Sequence, residues 1–201
     1  MALIAALTAA ASLSSGDAPL RAPAAFVTEQ YGLTFPVPSG SLYCPLPSDW
    51  TGSDHGTIIF MESPGKCHGA GFPSSGRGFD RDVARIEIFY SYWLEEEGDP
   101  DPPENCIRVG TVHFLGGDRA ICEQIRAGRM TLSVTAGYRI DTTAQTVFTL
   151  VTTSKRIATD LPVFRKVLAS TEICSSQWRD GKGGVFATGA GPRCPKEARW
   201  F

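Results

Sequence analysis

The chain has almost no excess of charge of either sign. Its 201 residues include 19 Lys and Arg against 21 Asp and Glu, which gives a formal net charge of −2. A nearly neutral chain has no general attraction for nucleic acid or anionic lipid, which argues against a nucleic-acid partner. No apolar run after residue 13 approaches the roughly 20 residues of a membrane-spanning helix. No transmembrane span is therefore expected in the mature chain.

Motifs that would identify a reaction are also missing. The sequence has no GxSxG nucleophile elbow and no CxxC pair. The glycine-rich stretch 181–184 reads GKGG and lacks the Ser or Thr that follows the lysine of a phosphate-binding loop. These absences lead us to expect no cofactor, and they favour a non-enzymatic protein without excluding an enzyme.

Histidine is scarce, with three residues in the chain. A hydrolytic site could be assembled from His55 or His68 with a carboxylate and a nucleophile such as Ser53, Ser75 or a free cysteine. No local motif anchors such a triad, so catalysis is the weaker hypothesis. By strict alternation, the third histidine, His113, falls on the same strand face as Ile107 and Val109, where we expect a structural role.

The most unusual segment is acidic, and it packs six carboxylates into ten residues: Glu95, Glu96, Glu97, Asp99, Asp101 and Glu104. Calcium takes six to eight oxygen ligands, often from one flexible loop. The segment lacks the DxDxDG order of a calcium loop, and its prolines restrict how it can wrap an ion. An acidic run of this kind is usually a solvated surface loop. The weak candidates for metal ligands are Glu97, Asp99, Asp101 and Glu104.

The chain opens on an apolar run, MALIAALTAAASL, followed by a small and polar stretch. Gly16 and Ala18 supply the two small residues, two apart, that a signal peptidase site needs. Residues 1–18 are therefore expected to be a signal peptide, which implies a periplasmic or secreted protein. No Lys or Arg precedes the run, so a buried N-terminal helix is the alternative.

The six cysteines favour the same compartment: Cys44, Cys67, Cys106, Cys122, Cys174 and Cys194. An even number after a candidate leader indicates disulfides in an oxidising environment. Six cysteines can pair in many ways, so connectivity is not fixed by the sequence alone. Local spacing suggests 44–67, 106–122 and 174–194, and six reduced thiols in a cytosolic protein are the alternative.

Alternation of apolar and polar residues predicts about seven strands, among them 85–93 and 145–153, with the cleanest pattern over 130–138. The stretch 120–126 fits a strand or a short helix. One helix is predicted late in the chain, capped by Thr159 or Asp160, with Pro162 in its first turn and Phe164 and Leu168 on one face.

No βαβ alternation is present, so we predict an α+β domain, an antiparallel sheet with helix cover stabilised by disulfides. We expect a flexible lead-in over 19–30, a single domain over 31–174, and a glycine-rich tail over 175–201 that packs on the domain.

Three short segments resemble the PsbP-like group of folds, which includes exported proteins. They are YGLTFPVP at 31–38, the Gly117-Asp118-Arg119-Ala120 turn, and DLPVFRKVLAST at 160–171. The resemblance implies the fold over about residues 30–173 and an accessory or binding role, and it carries no catalytic residue. The six cysteines, the long 63–80 loop and the tail after residue 174 depart from that pattern.

The sequence therefore favours an exported, non-enzymatic binding or accessory protein that acts on another protein or an envelope component. The alternative is a small exported hydrolase that uses a Ser or Cys with His55 or His68.

Overall fold

The computed structural model describes residues 20–28, 31–44, 56–65, 83–92, 105–126, 129–139, 143–179, 185–188 and 192–194. The strands in these ranges are β1 (Leu20–Arg21), β2 (Ala25–Thr28), β3 (Leu33–Pro36), β4 (Leu42–Tyr43), β5 (Gly56–Phe60), β6 (Arg85–Tyr92), β7 (Ile107–Phe114), β8 (Gly117–Arg126), β9 (Arg129–Arg139), β10 (Thr143–Thr153), β11 (Glu172–Ile173), β12 (Ser176–Arg179) and β13 (Val185–Thr188). The helix is α1 (Ile157–Ala169).

Eight strands form one sheet in the order β1-β4-β5-β6-β10-β9-β8-β7, and every neighbouring pair is antiparallel. The prediction of an antiparallel sheet with a helix and disulfides is confirmed. The stretch 120–126, for which the sequence allowed a strand or a short helix, is part of β8. Leu115 and Gly116, both with positive φ, make the turn before it, and the predicted turn residues Gly117 and Asp118 already belong to β8.

The main core cluster lies on one face of this sheet. Register places Phe148 of β10 beside Ile88 of β6 and Val134 of β9, and all three side chains are fully buried. A second sheet, in the order β11-β3-β2, packs over the same face and brings the ring of Phe35 to 5.5 Å from that of Phe148. Alternation with period two gives each central strand one face that is almost wholly apolar, and that face became the core.

Helix α1 covers only part of this face. Its buried residues Phe164, Val167 and Leu168 join the core, and it packs against β10, β7 and β3. A helix of 13 residues is about 20 Å long, whereas eight strands at about 4.8 Å spacing span about 34 Å. The predicted helix cover is therefore partial, and the small sheet covers another part. No helix among the described residues is long and apolar enough to cross a membrane.

The start of α1 differs from the prediction. The helix begins at Ile157 with Arg156 as its N-cap residue, and no side chain caps it. Asp160, predicted as a cap, lies inside the first turn, where its carboxylate accepts hydrogen bonds from Thr152 and Arg156 instead. Pro162 consequently lies within the helix rather than at its start.

Two short strands, β1 and β2, lie in the lead-in predicted over residues 19–30. β1 joins the edge of the large sheet, and β2 pairs with β3 and buries Phe26 and Val27. Four-residue strands show too little alternation to be recognised in a stretch rich in alanine and proline. In the tail, β12 and β13 pair with each other.

Two disulfides join described cysteines, Cys106–Cys122 and Cys174–Cys194, as their local spacing suggested. The second holds residue 194 against the end of the domain, where Ser175 also bridges to Arg193. No cysteine among the described residues is free. The suggested partner of Cys44, Cys67, lies outside the described residues.

Candidate functional site

Most of the residues predicted to carry chemistry lie outside the described part of the chain. These are the hydrolase candidates His55, His68, Ser53, Ser75 and Cys67, and the weak metal candidates Glu97, Asp99, Asp101 and Glu104. Both ideas therefore stay predictions. Within the described residues, no group of three or more His, Cys, Asp or Glu side chains is placed to hold a metal ion.

The described histidine, His113, is not on the face that strict alternation predicted. A β-bulge shifts the register of β7 between Arg108 and Gly110. Ile107 lies opposite Glu123 while His113 lies opposite Asp118, and since Glu123 and Asp118 are five residues apart in one strand, they point to opposite faces. One inserted residue thus moves His113 to the face away from Ile107.

On that other face His113 pairs with Asp118, Nδ1 lying 3.2 Å from Oδ1. Both side chains are more than two-thirds exposed to solvent. Full hydration weakens such a pair, which contributes little to stability. Nearby on β7, Arg108 donates a hydrogen bond to the hydroxyl of Thr111 over 3.0 Å, so this face of the hairpin is polar and solvated.

The most distinctive surface feature of the described residues is a group of exposed apolar side chains. Three of the five exposed large hydrophobic residues in the described part of the chain lie together at the end of the sheet: Ile107 at 65% exposure, Val109 at 45% and Ile125 at 66%. With Glu123, these residues form what we call the β7 corner. Scattered exposed side chains are ordinary, but grouped ones of this exposure mark interaction sites.

The register of β7, β8 and β9 builds the corner. Glu123 faces Ile107 across the strand gap, and Ile125 is two residues further along its strand, on the same face. β7 is the terminal strand of the large sheet in the described residues. The Cys106–Cys122 disulfide fastens the beginning of β7 to β8 with the two Cα atoms 4.8 Å apart. The corner is therefore held in place by covalent and hydrogen bonds rather than by burial.

Helix α1 marks the limit of the corner. A Cβ atom on Gly110 would lie 3.3 Å from Nη2 of Arg165 and 3.8 Å from Ile121, so the helix side chain rests directly on the backbone of β7. Ile121 is buried beneath the helix, whereas Glu123, the next residue on the same face, is half-buried. The covered part of the hairpin ends between these two residues.

The corner carries charges of both signs. Glu123 lies between its two isoleucines, and exposed Arg165 lies over Gly110 at its helix side. Glu123 and Arg165 belong to none of the ion pairs found among the described residues. The corner therefore combines exposed apolar side chains with one charged group of each sign.

A second polar cluster, around Asp160, is structural. Arg156 forms two hydrogen bonds with the carboxylate of Asp160 and a further one with Glu62. The hydrogen bonds to Asp160 raise the pKa of Arg156 above its already high ordinary value, against the opposing effect of burial. Glu62 in turn accepts a hydrogen bond from the backbone N–H of Ala84. The cluster ties the start of α1 to the segments that flank β5 and β6.

Sequence reasoning did not find the corner. Ile107, Val109 and Ile125 are apolar residues in predicted strands, and such residues are normally assigned to the core. Their exposure depends on β7 being the last strand of the sheet in the described part of the chain and on α1 ending its cover at Gly110, which are properties of topology. The odd spacing of apolar residues across Gly110 was the available signal for a bulge.

Comparison of the chain with protein-family models, with curated proteins and with solved structures finds no match. The resemblance to the PsbP-like group therefore stays a prediction, and function is argued from the geometry of the site.

Proposed function

We propose that this is an exported, non-enzymatic binding protein that acts on another protein or an envelope component through the β7 corner. The observation that carries the proposal is the exposure of Ile107 and Ile125, each about two-thirds open to solvent on adjacent strands. Exposed isoleucines of this kind are disfavoured on a surface that contacts only water, and their burial against a partner would be favourable by about 25 cal/mol per Å².

The corner is suited to rigid recognition. Its two isoleucines project from paired strands, and the Cys106–Cys122 disulfide fixes one strand to the other. Rigid surfaces lose little conformational entropy on binding, which leaves more of the apolar burial available as affinity. Side chains held in fixed positions on a surface are the anchors around which binding interfaces are built.

The proposed compartment rests on the disulfides. Two bonds between described cysteines are compatible with an oxidising, extracytoplasmic environment. The test is the intact mass of the natural protein, measured with thiol labelling before and after reduction. We expect a chain shortened by about 18 residues and labelling only after reduction; a full-length chain with freely labelled thiols would refute export.

The binding proposal is tested by photo-crosslinking. A photoreactive amino acid is placed at position 107, at position 125, or at position 20 as a matched control. Leu20 is also an exposed apolar residue on a terminal strand of the same sheet, but at its opposite end. In the native envelope fraction, we expect one discrete adduct from positions 107 and 125 and none from position 20.

Measuring the affinity for the crosslinked partner then distinguishes specific binding from chance proximity during crosslinking. The crosslinked partner is purified, and its affinity is measured for the natural chain, for Ile125→Ser and for Leu20→Ser. We expect Ile125→Ser to weaken binding at least about tenfold and Leu20→Ser to leave it unchanged. Equal adducts from all three positions, or equal affinities for both variants, would contradict the proposal. The hydrolase alternative depends on His55 and His68 and stays a prediction.

A further inference from the structure

We propose that the β7 corner also binds a second copy of this chain, so that the protein is a weak symmetric dimer when its partner is absent. The inference rests on the proposed function, since it uses the same surface, and it adds a way in which that surface is covered and regulated.

An interface with twofold symmetry uses one patch twice, so a group on one side of the axis must complement a group on the other side. The corner meets this condition. Glu123 lies at its strand end beside Ile107, and Arg165 lies at its helix end over Gly110. Glu123 shares the face of Ile121, which lies opposite Gly110, so the carboxylate and the guanidinium are on the same face of the hairpin.

A twofold axis that passes between these two groups brings Glu123 of one copy towards Arg165 of the other, and the reverse contact follows by symmetry. Neither group is in an ion pair among the described residues, so forming the two contacts breaks none of those described. The isoleucines of both copies are covered in the same step. Direct superposition of the two Glu123 carboxylates, by contrast, would place like charges together, which costs energy.

The bulge in β7 determines the kind of contact. Edge strands can extend a sheet by pairing with another chain, but a bulge interrupts the regular row of hydrogen-bonding groups. The register of β7 is broken between Arg108 and Gly110, in the middle of the corner. We therefore assign the dimer to side-chain contacts on the face of the hairpin rather than to a continuous sheet.

The dimer is expected to be weak because the patch is small. Interfaces that bury less than about 1,200 Å² in total are those of transient complexes. Such a dimer would dissociate as the protein is diluted, and it would compete with any partner that uses Ile107 and Ile125. Partner binding would then depend on protein concentration.

Charge reversal with rescue tests the inference. Sedimentation equilibrium is measured on the full chain at low salt from about 10 µM to 1 mM, a range that covers weak association. The proteins are the natural chain, Glu123→Arg, Arg165→Glu and the variant with both changes. Each single change places like charges across the proposed axis, and the double change restores opposite charges.

We expect concentration-dependent dimerisation of the natural chain, at least about tenfold weaker dimerisation of each single variant, and recovery in the double variant. Lys166→Glu is the control, since it reverses a neighbouring exposed charge of α1, and it should change dimerisation less than Arg165→Glu. Far-ultraviolet circular dichroism checks that each variant is folded.

A chain that stays monomeric throughout the concentration series would overturn the inference, as would a dimer indifferent to both charge reversals. These outcomes are separable from failure of the proposed function. A monomer whose corner still crosslinks to a distinct partner leaves that function standing, whereas a charge-dependent dimer with no other partner supports the dimer alone.

Discussion

The two ends of β7 have the same apolar character but different surroundings. Phe114, the last residue of the strand, is buried, and its ring lies 5.1 Å from that of Phe148. Ile107, the first residue, is exposed. What separates them is cover, because α1 rests on the strand at Gly110 and does not reach the corner. An apolar residue of β7 therefore contributes to core packing only where another element covers it.

The largest expected loss of stability is at the covered end of β7, where Phe114 lies. Phe114→Ala removes a ring that packs against Phe148, and leaves a cavity in a core that is closed on that side. We expect the free energy of unfolding to fall by about 3 to 5 kcal/mol, measured by urea denaturation. Ile107→Ala is the control at the exposed end; an equal loss for the two variants would mean that the corner is part of the core.

The second effect concerns the disulfide that holds the exposed end. Replacing Cys106 and Cys122 together by alanine removes a crosslink between residues 16 positions apart. For a loop of this length the expected loss of stability is about 3 kcal/mol. Hydrogen exchange should show the backbone of Ile107 and Arg108 opening more readily than that of Val112 and Phe114. Uniform protection along β7 would show that the disulfide is not what fixes the corner.

The third effect tests how the helix is held over the covered end. Asp160→Asn keeps the shape of a buried side chain but removes the charge that pairs with Arg156. Since Arg156 is partly exposed and keeps Glu62 as a partner, we expect a loss of about 2 kcal/mol in thermal or urea unfolding. Glu62→Gln, at the exposed end of the same cluster, should cost less, and the opposite order would contradict this account.

The smallest effect is expected at the corner itself. Ile107→Ser combined with Ile125→Ser replaces two exposed side chains with polar ones, so the free energy of unfolding should change by no more than about 0.5 kcal/mol. The same double variant should bind the crosslinked partner at least about tenfold more weakly and should lose the dimer. A loss of several kcal/mol would assign both isoleucines to folding and remove the basis for a binding surface.

Local pattern predicted much of the fold. Alternation located β6, β9 and β10, and the spacing of Phe164 and Leu168 located α1, because both signals depend on the period of one element. Local cysteine spacing also suggested the two pairings now described. The short strands β1 and β2 were missed because two to four residues hold too little periodicity. The start of α1 was misplaced because Asp160 has a tertiary partner, Thr152, that no local rule reveals.

The candidate site was less accessible to sequence reasoning. The exposure of Ile125 depends on strand order, and the face of His113 depends on one inserted residue. Neither can be read from alternation, which assumes an unbroken strand. The histidines and carboxylates singled out for chemistry were conspicuous by residue type, whereas the corner consists of ordinary residues in an unusual position.

The bulge at Val109 has a consequence for the behaviour of the protein in concentrated solution. A long, regular and apolar strand at the end of a sheet can template the growth of fibres, with each molecule adding its sheet to the next. β7 has the length and composition for this, with eight residues that include two exposed aliphatic side chains. Because one residue interrupts its register, β7 is a poor template for continuous sheet extension, although Ile107 and Val109 stay exposed.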